Sequence, residues 1–272
     1  RANMTYHIYG IGAALVDTEI DVTDSDLAQL GITKGQMTLV DAARQQELVD
    51  YLAGHLTHSK RASGGSAANS IIAASYFGAK AFYSCKVAND DNGSFYLADM
   101  DAAGVACNVY DHIGDADSVN HCTGKCLVLI TPDAERTMLT HLGISETLCR
   151  QALDHNAVAK AQYAYIEGYL VTSPTGRAAA IELRESAEKS GVKTALSLSD
   201  PGMVQFFGDG LREMIGQGVD LLFCNEHEAQ GFTGTTDTEA AAEALKRYAR
   251  TFAITRGARG ALAVDRDEPI LP

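Results

Sequence analysis

Basic residues are scarce in this chain of 272 residues: 22 Lys and Arg stand against 35 Asp and Glu, a net charge of −13. Affinity for nucleic acid rests on neutralising phosphates with Lys and Arg, so this balance argues against nucleic acid as a main partner. No uninterrupted apolar run approaches the roughly 20 residues of a membrane helix, and no secretory signal pattern opens the chain. A soluble, cytoplasmic protein with no membrane partner is expected. Proline is rare, at five, while glycine reaches 25, a mix suited to regular elements joined by tight turns. The six cysteines are Cys85, Cys107, Cys122, Cys126, Cys149 and Cys224. They hold no C-x-x-C pair, and Cys122 with Cys126 lacks a matching second pair for zinc. They read as reduced, partly buried thiols. There is no H-E-x-x-H, no Cys/His cluster and no G-x-S-x-G elbow, and no internal repeat or low-complexity segment. His55, His58, His141 and His227 read as structural or surface residues. What remains is a globular composition, 46% apolar and 21% charged, able to bury a sizeable core. The length suits one large α/β domain or two small ones. Arg1-Ala2-Asn3 ahead of Met4 reads as a remnant of recombinant expression, outside the fold.

Two kinds of segment alternate. The first is a short apolar run followed by a glycine turn and a helical pattern. Tyr6 to Ile11 is one, ending in Gly10 and Gly12; Ala81 to Val87, Ala161 to Ile166, Lys193 to Leu198, Val219 to Cys224 and Phe252 to Thr255 continue the series. Helix candidates lie between them. Gly78 is placed to close one as a left-handed C-cap. Asp41 caps a stretch whose Leu48, Tyr51, Leu52 and Leu56 recur at helical spacing. Thr175 to Ser190 follows Pro174 and stops at Gly191, and Asp237 to Ala249 has the same character. Strands alternating with helices of this length predict an α/β fold with a mainly parallel sheet covered on both faces. The second kind is Val16 to Val22, where Val16, Thr18, Ile20 and Val22 alternate with Asp17, Glu19 and Asp21, a strand with one wet face. Cys126 to Thr131 and Thr137 to Leu142 flank Pro132-Asp133-Ala134-Glu135, a turn that predicts a hairpin. A small sheet beside the large one is expected, built from insertions after the first strand and around residues 107 to 145.

In open parallel sheets ligands bind outside the carboxyl ends of the strands. Glu167, Asp200, the group Asn225, Glu226 and Glu228, and the group Thr255, Arg256 and Gly257 each directly follow a predicted strand. Helix caps alone place some such residues there. Four strand ends in a row, with two carboxylates at one of them, predict a polar site for a charged or metal-bearing ligand. Ser63-Gly64-Gly65-Ser66-Ala67-Ala68-Asn69 opens an apolar helix. Paired glycines admit a close backbone or ligand, and the helix start presents free N–H groups. Asn69, a poor helix former among apolar neighbours, is predicted to face a pocket; a close-packed helix start is the other reading. Two motifs fail. Gly10-Ile11-Gly12 lacks the third glycine of a dinucleotide fingerprint, which counts against a nicotinamide dehydrogenase, and Gly124-Lys125 has Cys126 where a P-loop needs a hydroxyl.

Taken together these residues resemble the ribokinase-like PfkB family of sugar and nucleoside kinases, in the family's order and from Tyr6 onward. Gly10-x-Gly12 followed by Asp17 is similar to the first strand and its substrate-binding aspartate. Ser63 to Ser70, with Gly78, is similar to the family's first signature. Lys86-Val87-Ala88-Asn89-Asp90-Asp91-Asn92-Gly93 resembles the next segment, with Ala88 where a glycine is common. Thr123-Gly124 to Arg136-Thr137 resembles the lid hairpin, Asn225-Glu226-His227-Glu228 the N-x-x-E motif, and Thr255-Arg256-Gly257-Ala258-Arg259-Gly260 the T-x-G-x-x-G before the nucleotide loop. The family's second signature, D-T-x-G-A-G-D, whose last Asp is the catalytic base, does not occur before Pro272. The chain, ending on a strand-like Glu268-Pro269-Ile270-Leu271-Pro272, is therefore expected to be part of a longer protein with the base beyond Pro272.

The resemblance implies one ribokinase-like, doubly wound α/β kinase domain over residues 4–272, with a small β-sheet lid from about 13–40 and 107–145. It implies transfer of the ATP γ-phosphoryl group, with Mg²⁺, to the hydroxymethyl group of a nucleoside or sugar. Asp17, Gly64, Gly65 and Asn69 would bind the acceptor. Asn225, Thr255, Gly257 and Gly260 would line the nucleotide. Glu228, through water, and Asn225 would serve the metal, and Arg136 would act as a charge clamp. The wording around Gly10 to Val22, Thr131 to Met138 and Glu167 to Leu170 is closest to adenosine-kinase-like members, with Tyr165, Tyr169, Met138 and Leu142 available to clamp a base. A ribose or fructose kinase is the alternative if the lid turns no apolar group toward Asp17. A non-catalytic nucleoside- or sugar-binding pseudokinase is the alternative of another class, and a homodimer through the small sheet is a further expectation.

Overall fold

The computed structural model describes residues 5–109 and 121–269. The expected expression remnant at 1–3, the chain end at 270–272, residues 110–120 of the expected lid and the His58 side chain lie outside the description. Thirteen strands are formed among the described residues: β1 (Tyr6–Ile11), β2 (Leu15–Asp21), β3 (Met37–Leu39), β4 (Lys60–Gly64), β5 (Ala81–Cys85), β6 (Val105–Val109), β7 (Gly124–Ile130), β8 (Arg136–His141), β9 (Ala161–Glu167), β10 (Lys193–Ser197), β11 (Val219–Asn225), β12 (Ala249–Thr255) and β13 (Ala261–Asp265). Eight make one sheet in the order β13-β12-β11-β10-β9-β1-β5-β6. It is parallel throughout except where β13 returns antiparallel to β12. The other five make a mixed sheet in the order β3-β8-β7-β2-β4.

The large sheet is apolar on both faces because helices cover both, and β5, Ala-Phe-Tyr-Ser-Cys, is buried at every residue. On one face Tyr9, Ile11, Ile166, Leu222 and Phe252 pack with Leu183 of the helix Pro174–Lys189 and Leu211 of the helix Pro201–Ile215. On the other, Tyr83, Cys85 and Tyr165 pack with Ile71 of the helix Ser66–Tyr76 and Met100 of the helix Asp91–Ala102. Gly78 follows the first of these helices with φ +94°, the left-handed turn that ends it.

The small sheet alternates, as its sequence does. Ile20, Leu127, Leu129 and Leu139 are buried with Leu27, Leu48 and Leu52 of the helices Asp24–Gln29 and Ala42–Tyr51. Asp17, Cys126 and Thr140 turn the other way, and the hairpin β7–β8 pairs Cys126 with Thr140. The bounds differ from 13–40 and 107–145 at two places. β4 at Lys60–Gly64 joins the small sheet as the antiparallel neighbour of β2, while β6 at Val105–Val109 is an edge of the large sheet. Neither shows in local pattern, because strand pairing is decided by a partner distant in sequence. The expected helix Asp237 to Ala249 is shorter, Thr238–Leu245. Ala249 is claimed by the sheet, where it pairs with Val219. Glu268 and Pro269 follow β13 outside any strand. Among the described residues no helix is long and apolar enough to cross a membrane.

Candidate functional site

A cavity of about 360 Å³ lies between the small sheet and the carboxyl ends of β1 and β9. From the small sheet come Leu15, Asp17, Met37, Leu39, Cys126, Arg136, Met138, Thr140 and Leu142; from the large-sheet side come Ala13, Gly65, Ser66, Asn69, Glu167, Tyr169, Thr172 and Ser199. Of the residues read from sequence, Asp17, Gly65, Asn69 and Arg136 thus share one wall-to-wall space. Gly64 sits directly behind them. A Cβ there would lie 2.1 Å from the Asp17 carboxylate, so glycine is required for Asp17 to stand where it does. Gly65 has φ +103°, and a Cβ on it would lie 2.3 Å from the Ala13 carbonyl oxygen. Tyr96 donates from its hydroxyl to the Gly64 carbonyl at 3.1 Å, anchoring the pair from below.

Burial pushes the Asp17 carboxyl up to about 6, against the nearby Arg136 guanidinium, which favours the anion. Arg136 itself donates from Nη2 to Glu19 Oε1 at 3.2 Å across the sheet and is half exposed. Of the four side chains read as a base clamp, Met138, Leu142 and Tyr169 line the cavity. Tyr165 does not, being packed in the core under the helix Ser66–Tyr76. One wall residue, read from sequence only as a polar strand end with no role of its own, holds the wall together. Glu167, the last residue of β9, is 1% exposed. Its Oε2 accepts from the Ala13 N–H at 3.0 Å and its Oε1 from the Ala67 N–H at 2.9 Å. Burial pushes its carboxyl up to about 7. Its place at a strand's carboxyl end was the available signal; its partners, 154 and 100 residues away, left none.

The remaining sequence candidates gather farther along the same sheet edge, outside the cavity wall. Asn225 caps the helix Glu226–Thr233: its side chain accepts from the Glu228 N–H at 2.8 Å, and Glu228 Oε2 accepts from the Asn225 N–H at 2.8 Å. Glu228 is buried, and its carboxyl is pushed up by that burial and further by the nearby Asp200 charge. Thr255 ends β12 and is exposed. Gly257 and Gly260 bound a single turn, with φ +57° and +82°, that the Arg256 N–H closes on the Gly260 carbonyl at 2.7 Å. Arg259, on that turn, pairs with Glu226. Tyr169 stands between the two groups. Its phenol is held up mainly by burial and then by the carboxylates of Asp200, Glu167 and Glu228. Among the described residues no cluster of three or more His, Cys, Asp and Glu side chains is set to hold a metal directly.

Comparison with known proteins identifies the family and the fold. Residues 27–271 match the pfkB family carbohydrate kinases. The chain is 29% identical to an adenosine kinase of Saccharomyces cerevisiae over 259 residues, which are 89% of this chain and 72% of that protein. It is 28% identical to a ribokinase of Mus musculus over 213 residues, 76% of this chain and 62% of that protein. In structure it is similar to the adenosine kinase of Sinorhizobium meliloti, with 32% identity, a TM-score of 0.87, and coverage of 98% of this chain and 79% of the other. The ribokinase-like architecture and the nucleoside- and sugar-kinase relatives converge: the chain belongs to the pfkB family of carbohydrate kinases, a family of phosphotransferases.

Proposed function

We propose that the acceptor is an adenosine-like nucleoside and that its hydroxymethyl oxygen takes the γ-phosphoryl group of ATP. The observation that carries this reading is the company Asp17 keeps. Met37, Leu39, Met138 and Leu142 line the same cavity, an apolar surface that a base needs and a bare sugar does not. The volume, about 360 Å³, lies within the roughly 300–1,000 Å³ of small-molecule sites. Asp17 accepts hydrogen bonds from ribose hydroxyls, and Asn69, able both to donate and to accept, shares them. Gly64 and Gly65 let the sugar approach the backbone and let the small sheet move as a lid over it. In the transfer the new bond joins the acceptor oxygen to the γ-phosphorus while the bond from that phosphorus to the β–γ bridging oxygen breaks, ADP leaves with that bond's electron pair, and the acceptor hydroxyl releases its proton. Such a transfer depends on in-line positioning and charge stabilisation more than on covalent help.

Thr255, Gly257 and Gly260 line the nucleotide side, where both glycines have open space around their Cα atoms for a ligand to approach. Arg136 serves as the charge clamp by leaving Glu19 as the lid closes. The residues at the end of β11 fit magnesium held through water. The Glu228 and Asp200 carboxylates raise each other's neighbourhood in negative potential, and Mg²⁺ keeps several of its waters. When bound, the ion would spread the charge of the phosphate oxygens. Asn225 holds Glu228 in place through the reciprocal cap. The relatives are kinases of nucleosides and of ribose, and the comparisons lend the pseudokinase alternative no support. A cytoplasmic location and a homodimer through the small sheet complete the proposal. The dimer draws on the two edge strands β3 and β4; a monomer mass by light scattering overturns it.

The test is ADP release in the presence of Mg²⁺ over a panel of adenosine, guanosine, ribose and fructose. Adenosine is expected to give the highest kcat/KM. Preference for ribose or fructose overturns the nucleoside reading in favour of the sugar kinase. Nucleoside binding without ADP release overturns catalysis.

A further inference from the structure

Of the places where the chain passes between the two sheets, two meet behind Asp17 at the cavity. The chain crosses out from β1 to β2 through Gly12, Ala13 and Ala14, and back from β4 to the helix Ser66–Tyr76 through Gly64 and Gly65. The crossings touch, since a Cβ on Gly65 would strike the Ala13 carbonyl. Glu167 grips both. One carboxylate oxygen accepts from Ala13 on the outgoing crossing and the other from Ala67 just past the returning one. Glu167 is itself fixed to the large sheet, where it pairs with Ser197 of β10, and a Cβ on Gly12 would lie 2.9 Å from its Oε1. We infer that Glu167 is a positioning residue whose anionic carboxylate, by holding both crossings at once, sets the placement of the small sheet over the cavity.

The anion suits this double grip because each oxygen meets an N–H donor. A protonated carboxyl carries an O–H on one oxygen and so gives up one of the two crossings. The carboxyl titrates near pH 7, so the grip changes from single to double as pH rises through neutrality. The titratable groups around it are Tyr83 and Cys85 on β5, Tyr96 on the helix Asp91–Ala102, Tyr165 on β9 and Tyr169 beyond it. All five are raised above their ordinary ranges and stay protonated through this span. Asp17, on the opposite cavity wall, titrates near 6 and is the group to separate from it.

The experiment is backbone amide hydrogen exchange on the substrate-free full-length protein, corrected for the intrinsic pH dependence of exchange, from pH 5.5 to 8.5. Segments 12–15 and 66–69 are expected to change protection together with one midpoint near pH 7, and Asp17→Asn should leave that midpoint in place. Glu167→Gln has one acceptor oxygen at every pH. It is expected to exchange about tenfold faster than the parent in both segments at pH 8 and to lose the pH dependence, while β10 and β11 are unchanged. Unaltered exchange in either segment of the variant, or a midpoint that moves with Asp17, overturns the inference. Should the variant fail to fold, the pH series on the parent protein decides, since separate midpoints for the two segments overturn it equally. A kinetic arm, which alone rests on the proposed acceptor, expects the adenosine KM of Glu167→Gln at pH 8, where Asp17 is ionised, to lie above that of the parent at the same pH. Exchange needs no turnover, so a wrong acceptor and a wrong role for Glu167 give different results.

Discussion

At the end of the sheet edge roofed by the small sheet, glycine is present for room. A Cβ would lie 2.1 Å from Asp17 at Gly64 and 2.3 Å from the Ala13 carbonyl at Gly65. At the β12 end, Gly257 and Gly260 have nothing within 4 Å of an added Cβ and are present for their positive φ alone. The carboxylates divide the same way. Glu167, fully buried, is raised to about 7, whereas Glu226, part-buried beside Arg259, is held below the ordinary carboxylate range chiefly by the hydrogen bond from that guanidinium. The strand ends are built from the same residue types, and the roof decides what those residues become. The covered end is desolvated and tight and the β12 turn at the other end keeps water and tolerates change, while Glu228 between them is buried at the start of its own helix. On β11, too, Phe223 is 40% exposed, a large apolar side chain outside the cluster packed under the helices Ser66–Tyr76 and Asp91–Ala102.

The contrast breaks or sharpens at five points, from the largest effect down. Gly64→Ala must push Asp17 aside, and a displacement of about 1 Å costs roughly 100-fold, so acceptor kcat/KM should fall by about that factor; steady-state kinetics reads it, and a change within twofold would break the contrast. The pH dependence of stability comes next. The Glu167 carboxyl is raised from 4.5 unfolded to about 7 folded, so folding favours its protonated form. Its contribution is complete below pH 4.5 and is lost as pH rises through 7, on the order of 3 kcal/mol. Thermal denaturation between pH 4.5 and 8 should show this slope in the parent and a flatter one in Glu167→Gln.

Asp17→Asn removes an anionic hydrogen-bond acceptor and should lower acceptor kcat/KM by about 10- to 100-fold. In the parent, acceptor KM should rise as pH falls through about 6, because protonation removes the same acceptor; the variant's KM should not follow pH there. Met138→Ser takes one apolar wall away and should raise the nucleoside KM about tenfold, the worth of a buried methionine side chain, with little change for ribose. Gly260→Ala at the open end should cost about 1 kcal/mol through its left-handed torsion, seen as a small drop in thermal midpoint with the acceptor KM intact at saturating ATP. If it instead matched Gly64→Ala in acceptor kinetics, the difference between the ends would not exist.

Much of the covered end was legible. The alternation in Val16 to Val22 announces a strand with one wet face, and that face proves to be the cavity wall that carries Asp17. Asn69, out of place in an apolar helix start, does face the space. The strand ends pointed to Glu167 as one polar residue among several, with nothing to rank it above a helix cap. Its importance arises from the Ala13 and Ala67 amides, which no periodicity announces. β4 was silent for a similar reason: Lys60–Gly64 is short, polar and half glycine-turn, and it becomes a strand only because β2 offers an antiparallel partner.

The sequence by itself determined the α/β class, the order of the parallel strands' apolar runs and the residue types waiting at their ends, because periodicity and turn chemistry are local and act on neighbouring residues. Tertiary structure alone decided which of those ends became the enclosed site. Burial is a property of what lies above a residue rather than beside it in the chain: the small sheet folds over β1 and β9, strips water from Asp17 and Glu167, and raises both carboxyls toward neutrality. Asn225, Thr255 and Gly260, beyond that cover, remain at a solvated edge.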